Sequence, residues 1–294
     1  MSESYIDLLL VTPIVLFILV FAGLAAKALL DTDEKFLKTY QPTPEIADLA
    51  EQNTLTDKGK AILYRADPQL VDAQSFVKYC QVKKGGVEPL ACVAPNPGRG
   101  IFAGRQMFLL DIDDAKFADH KYAASVHEML HEAYKRIRSS SKDQLNALLD
   151  AELARHKDDP HLAAVIDILK QKTDKREDDV HSELHSKFGV EYSDLTPELE
   201  AHYGKYFANR PAVVSLYKSG GFNSRVRRID ALNAELTALN STLTAYQNAG
   251  NIDGFNSLVG QFNAKAAESR TLYNEIQEFY TLFNPEYQPP QGVK

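Results

Sequence analysis

Ala123-Ala124-Ser125-Val126-His127-Glu128-Met129-Leu130-His131-Glu132-Ala133-Tyr134 carries the first decision about this chain. The stretch has no Gly or Pro and is rich in strong helix formers, so it reads as part of a helix from about His120 to Arg138. On such a helix His127 and His131 stand one turn apart on the same face, with Cβ atoms ~6 Å apart. Two neutral imidazoles so placed can reach one Zn²⁺ at ~2.0–2.1 Å. Glu128, beside the first histidine, is close enough to take a proton from a zinc-bound water. A carboxylate is the natural general base for a water whose pKa the metal has lowered. The motif H-E-x-x-H is short and needs its context. A strand-like run, Gln106 to Ile112 (QMFLLDI), comes just before the helix. At a sheet edge such a strand can hold an extended peptide by β-addition. Glu132 departs from the stricter zinc-peptidase consensus, which has an uncharged residue there. The bland alternative is a charged surface helix with incidental histidines.

A catalytic zinc needs a third protein ligand and an open position. No third histidine follows in the H-E-x-x-H-x-x-G-x-x-H spacing, which excludes that subclass. The next cluster is Glu177-Asp178-Asp179-Val180-His181-Ser182-Glu183-Leu184-His185. If it is helical, His181 and His185 share a face and Glu183 points elsewhere, so the three cannot all converge on one metal. Glu183, His185 and His181 therefore compete, and a downstream Glu on a separate helix is the simplest supply. Tyr192, Tyr203 and Tyr206 lie further on, where a phenol could reach an oxyanion; their plainer reading is packing.

Outward from the motif, the N-terminal end is conspicuous. Leu8 to Ala26 is an uncharged run rich in Leu, Val, Ile and Phe. As a helix it spans roughly 28 Å, close to the ~30 Å hydrocarbon core, and Lys27 can snorkel at its far end. The preceding tail has no Lys or Arg and the run exceeds a signal-peptide core, so a membrane anchor is expected over a cleaved leader. Lys27, Lys35 and Lys38 after the span favour a cytoplasmic C-terminal side. Cys80 and Cys92 pull the other way if they close a disulfide, which would mark an oxidising compartment; the alternative is two separate buried thiols.

The rest of the chain reads as mainly α with a small β-sheet. Helices are expected at 44–52, 56–65 and 72–80, with Thr43 capping the first. A Gly- and Pro-rich stretch over 81–104 lies beside strands at Leu90 to Val93 and Gln106 to Ile112. Ser141-Lys142-Asp143-Gln144 reads as a capping box opening a helix at 142–156. Further helices start at Pro160, around His181 to His185, and at Thr196-Pro197-Glu198. Ile229, Leu232, Leu236, Leu239, Leu243 and Tyr246 then follow heptad spacing. After the turn Ala249 to Gly254, a second apolar face follows, which predicts an antiparallel helical hairpin. The organisation is a tail and transmembrane anchor (1–30), a linker (31–43), a metallopeptidase-like domain (44–221), a coiled-coil hairpin (222–284) and a tail (285–294). The hairpin is expected to pack on itself or the main domain, with a partner-docking arm as the sharper alternative.

Composition removes other classes. Forty acidic against thirty-three basic residues leave a net charge of −7, which argues against a general nucleic-acid binder. Two cysteines are too few for a disulfide scaffold or a four-thiolate zinc site. Neither a P-loop nor a dinucleotide fingerprint occurs.

The anchor, Thr56-Asp57-Lys58-Gly59, the Cys80/Cys92 pair, His127 to Tyr134 (HEMLHEAY) and His181 to Gly189 (HSELHSKFG) occur in this order. With Leu195 to Glu200 and the aromatic C-terminal hairpin, the chain resembles a family of bacterial membrane-anchored zincin metallopeptidases. The resemblance implies gluzincin-type ligation of one zinc by His127, His131 and Glu183, with Glu128 catalytic. It also implies a domain outside the cytoplasm acting on a peptide or protein. Lys187 stands where the gluzincin pattern has an Asp four residues after the third ligand, which leaves the support of His127 unassigned. A zincin-like scaffold without activity, binding partners through the hairpin, is the alternative.

Overall fold

The computed structural model describes residues 33–81, 90–95, 105–171 and 177–283. The expected anchor at Leu8 to Ala26 lies outside the described residues. Among those described, no helix is long and apolar enough to cross a membrane. The architecture is mainly helical with one three-stranded sheet.

Helix α1 (Asp33–Thr39) precedes α2 (Pro44–Gln52) and α3 (Asp57–Arg65). Thr43 and Thr56 cap α2 and α3 by accepting the backbone N–H groups of Ile46 and Gly59. Strand β1 (Gln69–Val71), α4 (Ala73–Cys80), β2 (Ala91–Pro95) and β3 (Arg105–Leu110) follow. The sheet order is β1-β3-β2, with β1 parallel and β2 antiparallel to β3. This corrects the expectation that the strand before the motif lies at an edge. Residues Met107 to Leu110 are all buried, and a strand covered on both faces takes the centre of a sheet. Among the described residues the edge next to the motif helix is β2. Cys80 at the end of α4 and Cys92 on β2 form a disulfide, with Cα atoms 5.8 Å apart.

The motif helix, α5 (His120–Lys135), is followed by α6 (Ser139–Arg155), α7 (Pro160–Gln171) and α8 (Glu177–Val190). The capping box expected at Ser141 is not used. Arg138 is already extended and α6 begins at Ser139, without a side-chain cap. Next come α9 (Pro197–Tyr203) and α10 (Arg210–Ser219). The long helices α11 (Gly221–Asn248) and α12 (Ile252–Phe283) complete the fold.

The main core gathers Leu49 and Leu63 with Val126, Met129, Leu130, Leu184, Phe188 and Tyr203 around α5 and α8. A second core joins Phe76, Leu110 and Phe117 to Ile276, Phe279 and Tyr280. The hairpin is therefore rooted in the main body through the end of α12. Along its length, ion pairs Arg225–Glu275 and Arg228–Glu268 (2.6 and 2.7 Å) and the Lys265–Glu235 contact fix an antiparallel register. Leu232 and Leu243 of the heptad seam are buried.

Candidate metal centre

Helix α5 divides into two faces. Val126, Met129, Leu130, Ala133 and Tyr134 are buried in the main core, which fixes the rotation of the helix. That rotation turns His127, Glu128 and His131 into one partly open group whose ligand atoms all lie within 4.8 Å of one another. Nε2 of His127 lies 3.2 Å from Nε2 of His131.

Helix α8 supplies the fourth member. Oε2 of Glu183 lies 3.4 Å from His131 Nε2, and Oε1 lies 3.8 Å from His127 Nε2. A tetrahedral ion with bonds of ~2.0–2.1 Å holds its ligand atoms ~3.3–3.4 Å apart. The His127–His131 and His131–Glu183 separations match that edge length, and the His127–Glu183 separation exceeds it by a few tenths of an ångström. The donor set of two imidazoles and one carboxylate is one zinc accepts. The donor atoms present fit a single divalent ion such as zinc.

The close approach of α8 to α5 has identifiable causes. Gly189 lies against Leu130 and Tyr203, and a Cβ there would come within 2.4 Å of Leu130 Cδ1. Nδ1 of the buried His185 donates to the Leu130 carbonyl at 3.1 Å, tying the two backbones together. The buried Arg210 donates to the carbonyls of Phe188 and Tyr192 (3.1 and 2.6 Å) and pairs with Glu200, which holds the end of α8.

The competing ligands are spent elsewhere. His181 Nε2 lies 2.9 Å from Asp150 Oδ1. His185 Nε2 faces His202 Nε2 at 2.9 Å. Since His185 donates through Nδ1 to a carbonyl, its Nε2 accepts and His202 donates, when both are neutral. Tyr192 and Tyr203 give their hydroxyls to Asp159 and to the His185 carbonyl (2.7 and 2.8 Å), and Tyr206 faces His202 across a separate cleft. Glu132 pairs with Lys135 at 2.7 Å.

Two residues that sequence reasoning missed complete the site. Nδ1 of His131 lies 2.8 Å from Ser182 Oγ, a contact that leaves Nε2 as the metal-facing lone pair. Ser186 Oγ lies 3.3 Å from both Nε2 atoms and donates to the Glu183 carbonyl at 3.0 Å. Both sit on the face of α8 shared with Glu183, and the helical spacing of HSELHS was the signal that could have found them.

Without an ion, the electrostatics are those of a pre-arranged cluster. Burial pushes the Glu128 carboxyl up to about 7, with the Glu183 charge adding to it. Burial would raise Glu183 as well, but His127, His131 and Lys187 outweigh it and hold this carboxyl down at about 2. Burial drives His127 down to about 3. For His131 burial pulls downward, yet the hydrogen bond to Glu183 and the charges of Glu128 and Glu183 raise it. Lys187 pairs with Glu191 at 2.9 Å and adds positive potential near Glu183.

No protein-family model, curated protein or solved structure matches this chain. The likeness to zincins is carried by the residues quoted above alone.

Proposed function

We propose that this chain is a zinc-dependent peptidase. The observation that carries the reading is the placement of Glu183, from a separate helix, at ligand spacing from His127 and His131, with Glu128 beside them. His127, His131 and Glu183 would hold a zinc ion, which when bound would supply Lewis acidity to a carbonyl and a lowered pKa to water. Glu128 accepts the proton of the attacking water at its carboxylate. The C–O bond forms as the water loses that proton, and its return to the amine nitrogen then lets the C–N bond break and the amine leave. Ser182 keeps His131 in one tautomer and orientation throughout.

The substrate is a peptide in extended form. Strand β2 packs on α5 and, among the described residues, pairs with β3 alone, which leaves its other edge to take a peptide strand. The Cys80–Cys92 disulfide supports a compartment outside the cytoplasm. In that placement the Leu8 to Ala26 run anchors the chain in the membrane.

The test is Glu128→Gln. This variant is expected to keep its zinc and its fold and to lose turnover of a peptide library by ~10²–10⁴-fold. Undiminished hydrolysis would remove Glu128 as the base, and a wild-type protein that holds zinc yet cleaves no peptide would favour the scaffold reading.

A further inference from the structure

A cleft of about 620 Å³ opens between α3, the end of α5, the start of α6, and α9. None of His127, Glu128, His131 or Glu183 lines it. On the α5 wheel its residues Ala133 and Arg136 stand about 140–200° from His131, on the other side of the helix.

The chemistry of its walls is one-sided. Lys58 comes from α3, Arg136 and Arg138 from the α5–α6 connection, and Lys205 from just past α9. None of these four makes an ion pair with another described residue. The two carboxylates on the walls are Asp33 and Glu198, and Asp33 is already 3.5 Å from Arg65. In a protein of net charge −7, four solvent-exposed cations gathered around one cleft give it a local positive potential, which the Asp33 and Glu132 charges near Arg136 offset only in part. Helix α6 also begins here. Ser141 of its first turn lines the cleft, and no side chain caps the helix, so its leading N–H groups lack a side-chain acceptor.

We propose that this cleft binds a phosphate mono- or diester group, clasped by Arg136 and Arg138 with Lys58 and Lys205 around it. Guanidinium forks match the paired oxygens of a phosphate, and the ammonium groups add charge without demanding geometry. The site is independent of the metal centre. Its ligand is either a soluble phosphate compound or the headgroup of an anionic phospholipid. On the proposed reading that the Leu8–Ala26 run anchors the chain, the second source is close at hand, because Asp33 on the cleft wall follows that run by a few residues in the sequence.

The experiment is calorimetric titration of the full chain in neutral detergent with three probes: inorganic phosphate, dihexanoyl-phosphatidylglycerol and dihexanoyl-phosphatidylcholine. The expected result is saturable binding of phosphate or of the glycerol lipid, weakened at least tenfold in Arg136→Gln/Arg138→Gln. Lys58→Gln/Lys205→Gln should weaken it in the same sense, and Lys78→Gln, outside the cleft, should not. Tighter binding of the glycerol lipid than of phosphate or the choline lipid identifies a membrane source, and the reverse order a soluble one. Far-UV circular dichroism and zinc content, unchanged in both double variants, separate this outcome from unfolding and from the metal centre. No binding of any probe, or binding indifferent to both double substitutions, would overturn the proposal.

Discussion

Nδ1 of His131 lies 2.8 Å from the hydroxyl of Ser182, the residue next to Glu183 in the chain. One helix, α8, therefore both orients a histidine of α5 and presents a carboxylate to it. The helical turn of α5 sets the distance between the two histidines, and the packing of α8 on α5 sets the distance of Glu183 from them.

Ser182→Ala removes the partner of His131 without touching a ligand atom. Loss of such a support costs metal affinity of ~10–100-fold. A chelator competition should show zinc bound more weakly by that factor, with an unchanged circular dichroism spectrum.

Gly189→Ala tests the packing itself. The added Cβ would meet Leu130 at 2.4 Å and Tyr203 at 2.9 Å, both in the main core. Overpacking of this kind costs ~1–3 kcal/mol and should push α8 away from α5. Urea unfolding is expected to show lower stability, and zinc affinity should fall with it although no ligand has changed.

Protonation of His202 gives a pH dependence whose sign can be worked out. Its pKa is lowered from 6.5 to about 4, first by burial and then by Lys205 and Lys58. The unfolded chain thus binds the proton more readily, so the stability tied to neutral His202 is whole above pH 6.5 and is lost as pH falls through about 4. The loss is on the order of 3 kcal/mol. Gln in its place keeps a donor for His185 but does not titrate. In metal-free protein, the melting temperature of His202→Gln should fall less steeply than that of wild type over this window.

The disulfide is expected to matter for stability. Closing the short loop between Cys80 and Cys92 is worth about 3 kcal/mol in a chain-entropy account. Cys80→Ser/Cys92→Ser should lower the unfolding free energy by roughly that amount. Alkylation of the unreduced wild type, read by mass, should label neither cysteine.

How much of this was legible follows the range of each interaction. The rotation of α5 could be read because Val126, Met129, Leu130 and Ala133 mark a buried stripe within one helix. The hairpin seam was readable for the same reason. Glu183 was reachable only by elimination and resemblance, since its meeting with His131 depends on Gly189 and His185 at the α5–α8 contact. The central place of β3 was not legible, because β1 is a three-residue strand whose parallel pairing joins distant parts of the chain. The apparent capping box at Ser141 was overridden when Arg138 turned the chain three residues earlier. The basic cleft draws its cations from three separate places in the sequence, so no local pattern announces it.

Zinc content of purified wild type, His131→Ala and Glu183→Ala, measured by elemental mass spectrometry on folded protein, tests the central claim most directly. About one equivalent per chain in wild type, falling to background in both variants, is the expected result. Full retention of zinc by Glu183→Ala would contradict the three-ligand centre.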